Sequence, residues 1–191
     1  MAKSKIFFNV KSVEDALADV FVHLNHAPAT ETIPTVNALG RVLAKAPLSP
    51  IDLPSFDRSA MDGYAVRASD TFGASDALPA YLDIVGHVNM GQTPDVQVDT
   101  GQAVLIHTGA MIPEGADAVV MIERTQHISD NEIEVLAPVA NGENIIKLGE
   151  DVRQDSPVLS IGHSIRSQDI GGLLAVGITT LEVIKAPHVA I

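Results

Sequence analysis

Apolar residues recur at Val13, Leu17, Val20, Phe21 and Leu24, three or four positions apart, and so share one face of a helix. The pattern predicts a helix over residues 12–25, with Ser12 as N-cap and Asp15 in the capping-box position. Asp15 and Asp19 occupy the half that the helix dipole favours for acids, and Asn25 and Pro28 end it. One helix with one apolar stripe must bury that stripe against something else. A short helical turn follows around Val36–Leu39, closed by Gly40, and then an apolar strand at Arg41–Ala46. Prolines at 47, 50 and 54 mark a crossing between packing units, because proline fits neither a helix interior nor a central strand.

From residue 55 to about 155 the spacing turns to β. Short strands are predicted at Tyr64–Arg67, Tyr81–Val88, Ala103–His107, Ala118–Glu123, Glu132–Leu136 and Asn144–Leu148, with Gly, Pro, Asp and Asn turns between them. Asp130-Asn131 separates two of them as a hairpin loop does. The remaining piece gives strands at Pro157–Ser160 and Ser164–Arg166, and a helix capped by Ser167 that runs through Ile170, Leu173, Leu174 and Val176 to Gly177. Ile178–Lys185 is a strand, and Val189–Ile191 begins another. No repeat, heptad or low-complexity tract interrupts this order. The fold class is therefore α+β and β-rich, in two packing units. The N-terminal helix is an orphan whose partner, like that of the last strand, is expected in a further domain.

Composition sharpens the picture in two places. The 191 residues contain no Cys, which removes disulfides, thiolate metal sites and Cys nucleophiles together. The net charge of −12 is concentrated: residues 49–155 hold 5 basic and 18 acidic side chains, and the remainder is nearly balanced. This argues against nucleic acid and anionic membranes as partners, since both need the opposite sign. An acidic surface that meets an anionic substrate needs a divalent cation or a basic partner surface. No stretch of 18 apolar residues is present to span a membrane, and the N-terminus reaches charge too soon for a secretory signal, so a cytoplasmic location is expected.

Three polar loops could carry chemistry. The first, PSFDRSAMDGYAV at 54–66, packs Asp57, Arg58, Ser59 and Asp62 between Pro and Gly, and two carboxylates there could hold a hydrated cation. The plainer reading is that Asp62-Gly63 is a turn dipeptide and Asp57 a local cap. The second, HTGAMIPEGADAVVMIE at 107–123, places Thr108-Gly109 after an apolar strand, where a hydroxyl and a backbone amide could meet an oxyanion. Neither GxxxxGK[ST] nor GxGxxG occurs, and an ordinary strand–turn–strand connection is the competing reading. The third, GENIIKLGEDVRQ at 142–154, sets Glu150-Asp151 beside Arg153 with Lys147 upstream, which a solvated turn also explains. The seven His residues form no ligand set; His23 and His26 alone are too little for zinc.

Taken together, PSFDRSAMDGYAVRASD, TGAMIPEGADAVVMIE and GENIIKLGEDV resemble the molybdopterin molybdenumtransferases (MoeA), which include the E domain of gephyrin. The likeness runs from about residue 12 to 191. It implies insertion of molybdenum from molybdate into adenylylated molybdopterin, with Mg²⁺, releasing molybdenum cofactor and AMP. It also implies an elongated homodimer whose cleft is shared between subunits. The implied partition assigns residues 1–29 to a helix of the third domain and 30–48 with 156–186 to a dimer-forming first domain. Residues 49–155 form the acidic second domain, and 187–191 start the third.

By motif match, Asp62, Thr108 and Asp151 correspond to the family's important second-domain residues. Asp62 and Asp151 would position Mg²⁺ or the metal-bearing group, and Thr108 would hydrogen-bond substrate or hold its loop. Asp57, Ser59 and Glu123 would support them. The family often carries Arg where Ile146 stands, with Lys147 adjacent here, and Pro where Met111 stands. The molybdopterin- and molybdate-binding domain would follow Ile191, so the 191 residues alone are expected to lack transferase activity. The alternative reading is a non-catalytic dimerising scaffold of the same fold.

Overall fold

The computed structural model describes residues 11–23 and 28–187. Its architecture is α+β and β-rich, as the pattern predicts, with two α-helices and ten strands among the described residues. Helix α1 spans Val13–His23. The Asp15 amide donates to Ser12 Oγ at 3.0 Å, so the predicted cap forms, and Lys11 pairs with Asp19 on the exposed surface. No α1 residue is buried, and the stripe of Val13, Leu17, Val20 and Phe21 lies open. Leu24, the Asn25 stop, His26 and the predicted strand at Val189–Ile191 fall outside the described residues.

Strand β1 (Thr30–Pro34) pairs antiparallel with β10 (Thr180–Ile184), Thr30 opposite Ile184 and Pro34 opposite Thr180. Helix α2 (Ser167–Ala175) covers the pair. Ala38, Leu43, Ile165, Leu173, Leu181 and Val183 form one core here, so the 30–48 and 156–184 segments meet. The predicted strand at Arg41–Ala46 is reduced to isolated bridges, Val42 to Ser164 and Leu43 to Val183. The edge of β10 is taken instead by β1, whose alternation is hard to read because only one of its residues, Ile33, is apolar and packs on the core. The predicted strands at Pro157–Ser160 and Ser164–Arg166 likewise shrink to single bridges.

The start of α2 differs from expectation in its chemistry. Ser167 is already helical, and Asp169 makes the closing contacts. Its carboxylate is almost fully buried, accepts from the Arg166 amide at 2.9 Å and the Arg166 guanidinium at 3.1 Å, and lies 2.7 Å from His163 Nε2. The Arg166 guanidinium, then His163 and the Arg166 amide, hold Asp169 far below its ordinary value of 3.8. A carboxylate depressed in the folded state adds stability that is complete above the unfolded value and lost as pH falls toward the folded one. Stability should therefore decline below about pH 4, and Asp169→Asn should lower stability at neutral pH and flatten that decline. Thermal melts from pH 3 to 7 check this; parallel curves for the two proteins would remove Asp169 as the cause.

The second unit is a six-stranded sheet in the order β6-β3-β5-β4-β8-β7. Its strands are β3 (Gly63–Val66), β4 (Ala80–Val88), β5 (Gln102–Ile106), β6 (Ala118–Met121), β7 (Thr125–Ser129) and β8 (Glu132–Val135). Only β4–β5 is parallel. Alternation divides the side chains: Tyr64, Val66, Leu82, Ala103, Val120 and Ile133 pack on one face, and Ala65, Val104, Ile106 and Val119 on the other. The predicted Ala118–Glu123 strand stops at Met121, and a 3₁₀ turn at Ile122–Arg124 leads directly into β7, a strand the pattern did not separate. That turn joins opposite edges of the sheet, β6 and β7, while the bond from the Leu136 amide to the Arg124 carbonyl at 2.9 Å extends the β7–β8 ladder by one rung. The sheet is therefore curled, with an open mouth. Beside it, β2 (Arg58–Ser59) and β9 (Ile145–Ile146) form a two-residue ribbon, shorter than the predicted Asn144–Leu148. Among the described residues no helix is long and apolar enough to cross a membrane.

Candidate functional site

The 54–66 loop gathers the other two loops around itself. Strand β3 is central, so its entry at Asp62 lies beside the end of β5 and the end of β6, with Gly63 opposite both Ile106 and Met121. The Asp62 carbonyl accepts from Ile122 N at 3.1 Å. Its carboxylate Oδ1 accepts from Thr108 N at 2.9 Å and lies 3.3 Å from His107 Nδ1. Upstream, Ser59 N donates to the Ala110 carbonyl and Gly109 N to the Ser59 carbonyl. Gly109 adopts φ 84°, a left-handed turn that glycine makes without strain.

Asp62 is exposed, and the Thr108 amide is the main cause of its lowered pKa; slight burial opposes this and the His107 ring adds to it. It is a carboxylate at neutral pH. Both protein contacts fall on Oδ1, so Oδ2 is the oxygen turned to other partners. Thr108 thus acts on Asp62 chiefly through its backbone amide, and its exposed side chain lowers the same pKa to a lesser degree. His107, which sequence reasoning passed over, was signalled only by its place immediately before Thr108-Gly109.

Asp57 lies on the other side of the loop. Its Oδ1 accepts from Leu148 N at 2.8 Å and its Oδ2 pairs with Lys147 Nζ at 2.9 Å. Partial burial pushes its pKa up, but the Leu148 amide and Lys147 outweigh this and hold it below the ordinary value. Lys147 is therefore engaged with Asp57. Asp57→Ala should release the 147–148 turn and cost about 1 kcal/mol. An unchanged midpoint in urea unfolding would contradict that role.

Asp151 is anchored by its amide to the Leu53 carbonyl at 3.0 Å, and its exposed carboxylate is 3.8 Å from Arg58 Nη2. Arg58 sits opposite Ile146 in the β2–β9 ribbon, and its buried Nε has no hydrogen-bond partner. Asp62 and Asp151 contact different partners, and no contact joins them. The Ser59 hydroxyl is buried and turned into its own loop, donating to the Met61 carbonyl at 2.5 Å. Glu123 is exposed in the turn after β6, next to the residue whose amide holds Asp62. Met111 bridges Arg58 from the neighbouring loop.

Among the described residues, no three His, Asp or Glu side chains converge as a ready metal site. Mg²⁺ does not require one; it is commonly held by one or two carboxylates together with substrate phosphates and water. An ionised Asp62 with one outward oxygen fits that mode.

Comparison with known proteins points to one family. The family described as "MoeA N-terminal region (domain I and II)" matches residues 11–177. Molybdopterin molybdenumtransferase of Bacillus subtilis (strain 168) is 36% identical over 182 residues, covering 94% of this chain and 42% of the relative. The Synechococcus elongatus protein of the same name is 39% identical over 156 residues, covering 81% and 38%. The crystal structure of a molybdopterin biosynthesis moeA protein from Pyrococcus horikoshii OT3 superimposes with a TM-score of 0.81 at 42% identity, covering 89% of this chain and 44% of that one. The chain thus spans less than half the length of these relatives.

Proposed function

The chain belongs to the MoeA family, in its N-terminal region of domains I and II, and from that premise we propose that it serves molybdenum cofactor biosynthesis as one wall of a molybdopterin molybdenumtransferase cleft. The full-length protein, in this reading, takes adenylylated molybdopterin and molybdate and yields molybdenum cofactor and AMP. Residues 30–48 and 156–186 form the dimerising domain, 49–155 the domain that faces the cleft, and 1–29 and 187–191 belong to a third. The observation that carries the reading is the Asp62 carboxylate, pinned by the Thr108 amide and left with one oxygen facing outward.

Each residue has a task. Asp62 would hold Mg²⁺, which when bound neutralises phosphate charge and orients it. The Thr108 amide and the His107 ring fix the Asp62 rotamer, so the charge is in place before substrate arrives. Asp151 offers a second carboxylate from the third loop, beside Arg58. Asp57 and Ser59 hold the loop that presents Asp62. The acidity of residues 49–155 then faces phosphates through a cation rather than directly.

The test is turnover by the full-length protein supplied with molybdate, Mg²⁺ and adenylylated molybdopterin. The expected result is AMP release matched by molybdenum bound to the pterin product. Intact dimers that release no AMP would overturn the enzymatic reading in favour of the scaffold.

A further inference from the structure

Arg58 is the only basic residue of the 54–66 loop. Its backbone is fixed from two sides, by Ile146 across the β2–β9 ribbon and by Met111 from the second loop. Its side chain is fixed by packing instead. A guanidinium carries five N–H donors and no acceptor, yet Nε of Arg58 is buried and unpartnered. Its one ion-pair neighbour among the described residues is Asp151, whose Oδ2 lies 3.8 Å from Nη2, beyond hydrogen-bonding distance.

The other acids of the loop are engaged elsewhere. Asp57 gives one oxygen to the Leu148 amide and the other to Lys147, and Asp62 turns Oδ1 to the Thr108 amide and the His107 ring. Lys147, the cation nearest to Arg58 in the ribbon, is matched by Asp57. Arg58 therefore brings unused donors and a positive charge to the loop that presents Asp62. A buried N–H without a partner costs free energy, and such a group calls for a role beyond filling space.

We propose that Arg58 receives a phosphate-type oxyanion of the substrate on its two Nη nitrogens, and that Asp151 beside it makes this contact selective for the metal-chelated anion. The proposal rests on the function proposed above and adds to it the residue that takes the anion. A guanidinium fork meets two oxygens of such a group at once. Nε is the guanidinium nitrogen closed off from solvent without a partner, so the open edge of the fork is the Nη pair; the side chain as a whole is 36% exposed. Asp151, 56% exposed, repels a bare anion at that edge and attracts one that carries a divalent cation.

The experiment titrates inorganic pyrophosphate into the full-length protein by calorimetry at low ionic strength, with and without Mg²⁺. Binding with Kd below about 1 mM is expected, tighter with Mg²⁺ than without. Arg58→Gln should weaken it about tenfold or more in both conditions. Asp151→Asn should tighten metal-free binding by about two- to fivefold, and should change nothing once Arg58 is replaced. Melting curves establish that the variants are folded; should Arg58→Gln not fold, Arg58→Lys keeps the stem and the charge but not the fork, and should weaken binding by about threefold or more. No binding up to about 1 mM, affinity within about twofold of wild type in the folded Arg58 variant, or metal-free affinity that Asp151→Asn leaves unchanged or raises equally without Arg58 would overturn the proposal. These outcomes are independent of turnover: a full-length protein that inserts molybdenum while its Arg58 variant binds pyrophosphate normally loses only this anion contact.

Discussion

Asp62→Ala in the full-length protein is expected to lower kcat/KM for molybdenum insertion by about 100-fold or more, with thermal stability changed by less than about 0.5 kcal/mol. The two halves of this expectation come from the same geometry. Asp62 is exposed and its carboxylate meets the Thr108 amide and the His107 ring at the surface, so its removal opens no cavity. The loop that carries it is held by the main chain: Ile122 N on the Asp62 carbonyl, Ser59 N on the Ala110 carbonyl and Gly109 N on the Ser59 carbonyl. These survive truncation. What disappears is a fixed negative charge, and its absence is felt only where phosphate and cation meet. Asp62→Asn separates charge from shape, since the amide oxygen can still accept from Thr108 N. It should fall nearly as far as alanine if charge is the active property. Thr108→Ala keeps the backbone amide and should lose far less, about tenfold. Activity within about twofold of wild type in Asp62→Ala, read as AMP release per dimer, would remove Asp62 from the chemistry.

The sequence exposed the larger elements and concealed the small ones, for a physical reason. Helix α1 with its Ser12 cap, α2 and the strands β3, β4, β5 and β8 announce themselves because several residues repeat one period. β1 has a single core-facing apolar residue, and β7 is exposed along nearly its whole length, so neither carries a period. Arg41–Ala46 has the apolar content of a strand, yet its only ladder contacts are single bridges. Side-chain partners were less legible still. Asp169 replaces Ser167 in closing α2 because its carboxylate reaches back to the Arg166 amide, and only its position three residues into the helix hinted at that. The three candidate loops were visible as motifs, and the structure brings the first against both others. Which side chains meet could not be read from spacing: Asp57 with Lys147, His107 with Asp62, and Arg58 with Asp151 each join residues far apart in the chain.

The largest structural effect is expected at Gly63, the residue after Asp62. A Cβ there would stand 1.9 Å from the Val120 carbonyl oxygen and 2.9 Å from its carbon. These are backbone atoms of β6, which cannot rotate aside as a side chain would. Glycine is needed here because two backbones approach closely, not because of a left-handed φ. Gly63→Ala must push β6 away from β3 at the register Gly63 opposite Met121, or twist β3 out of its place between β5 and β6. Either move opens the faces lined by Tyr64 and Val120 on one side and Ala65 and Val119 on the other. The cost should reach about 3 kcal/mol or more, a fall of roughly 6–12 °C in Tm for a chain of this size. The contrast with Asp62→Ala is informative, since adjacent residues then fail for opposite reasons. Gly63→Ala should lose activity in proportion to lost fold, and Asp62→Ala should lose it in a protein that melts normally. A Gly63→Ala protein with Tm within about 2 °C of wild type would mean that β6 yields at this point, and that the clamp between β3 and β6 is not what fixes the Asp62 loop.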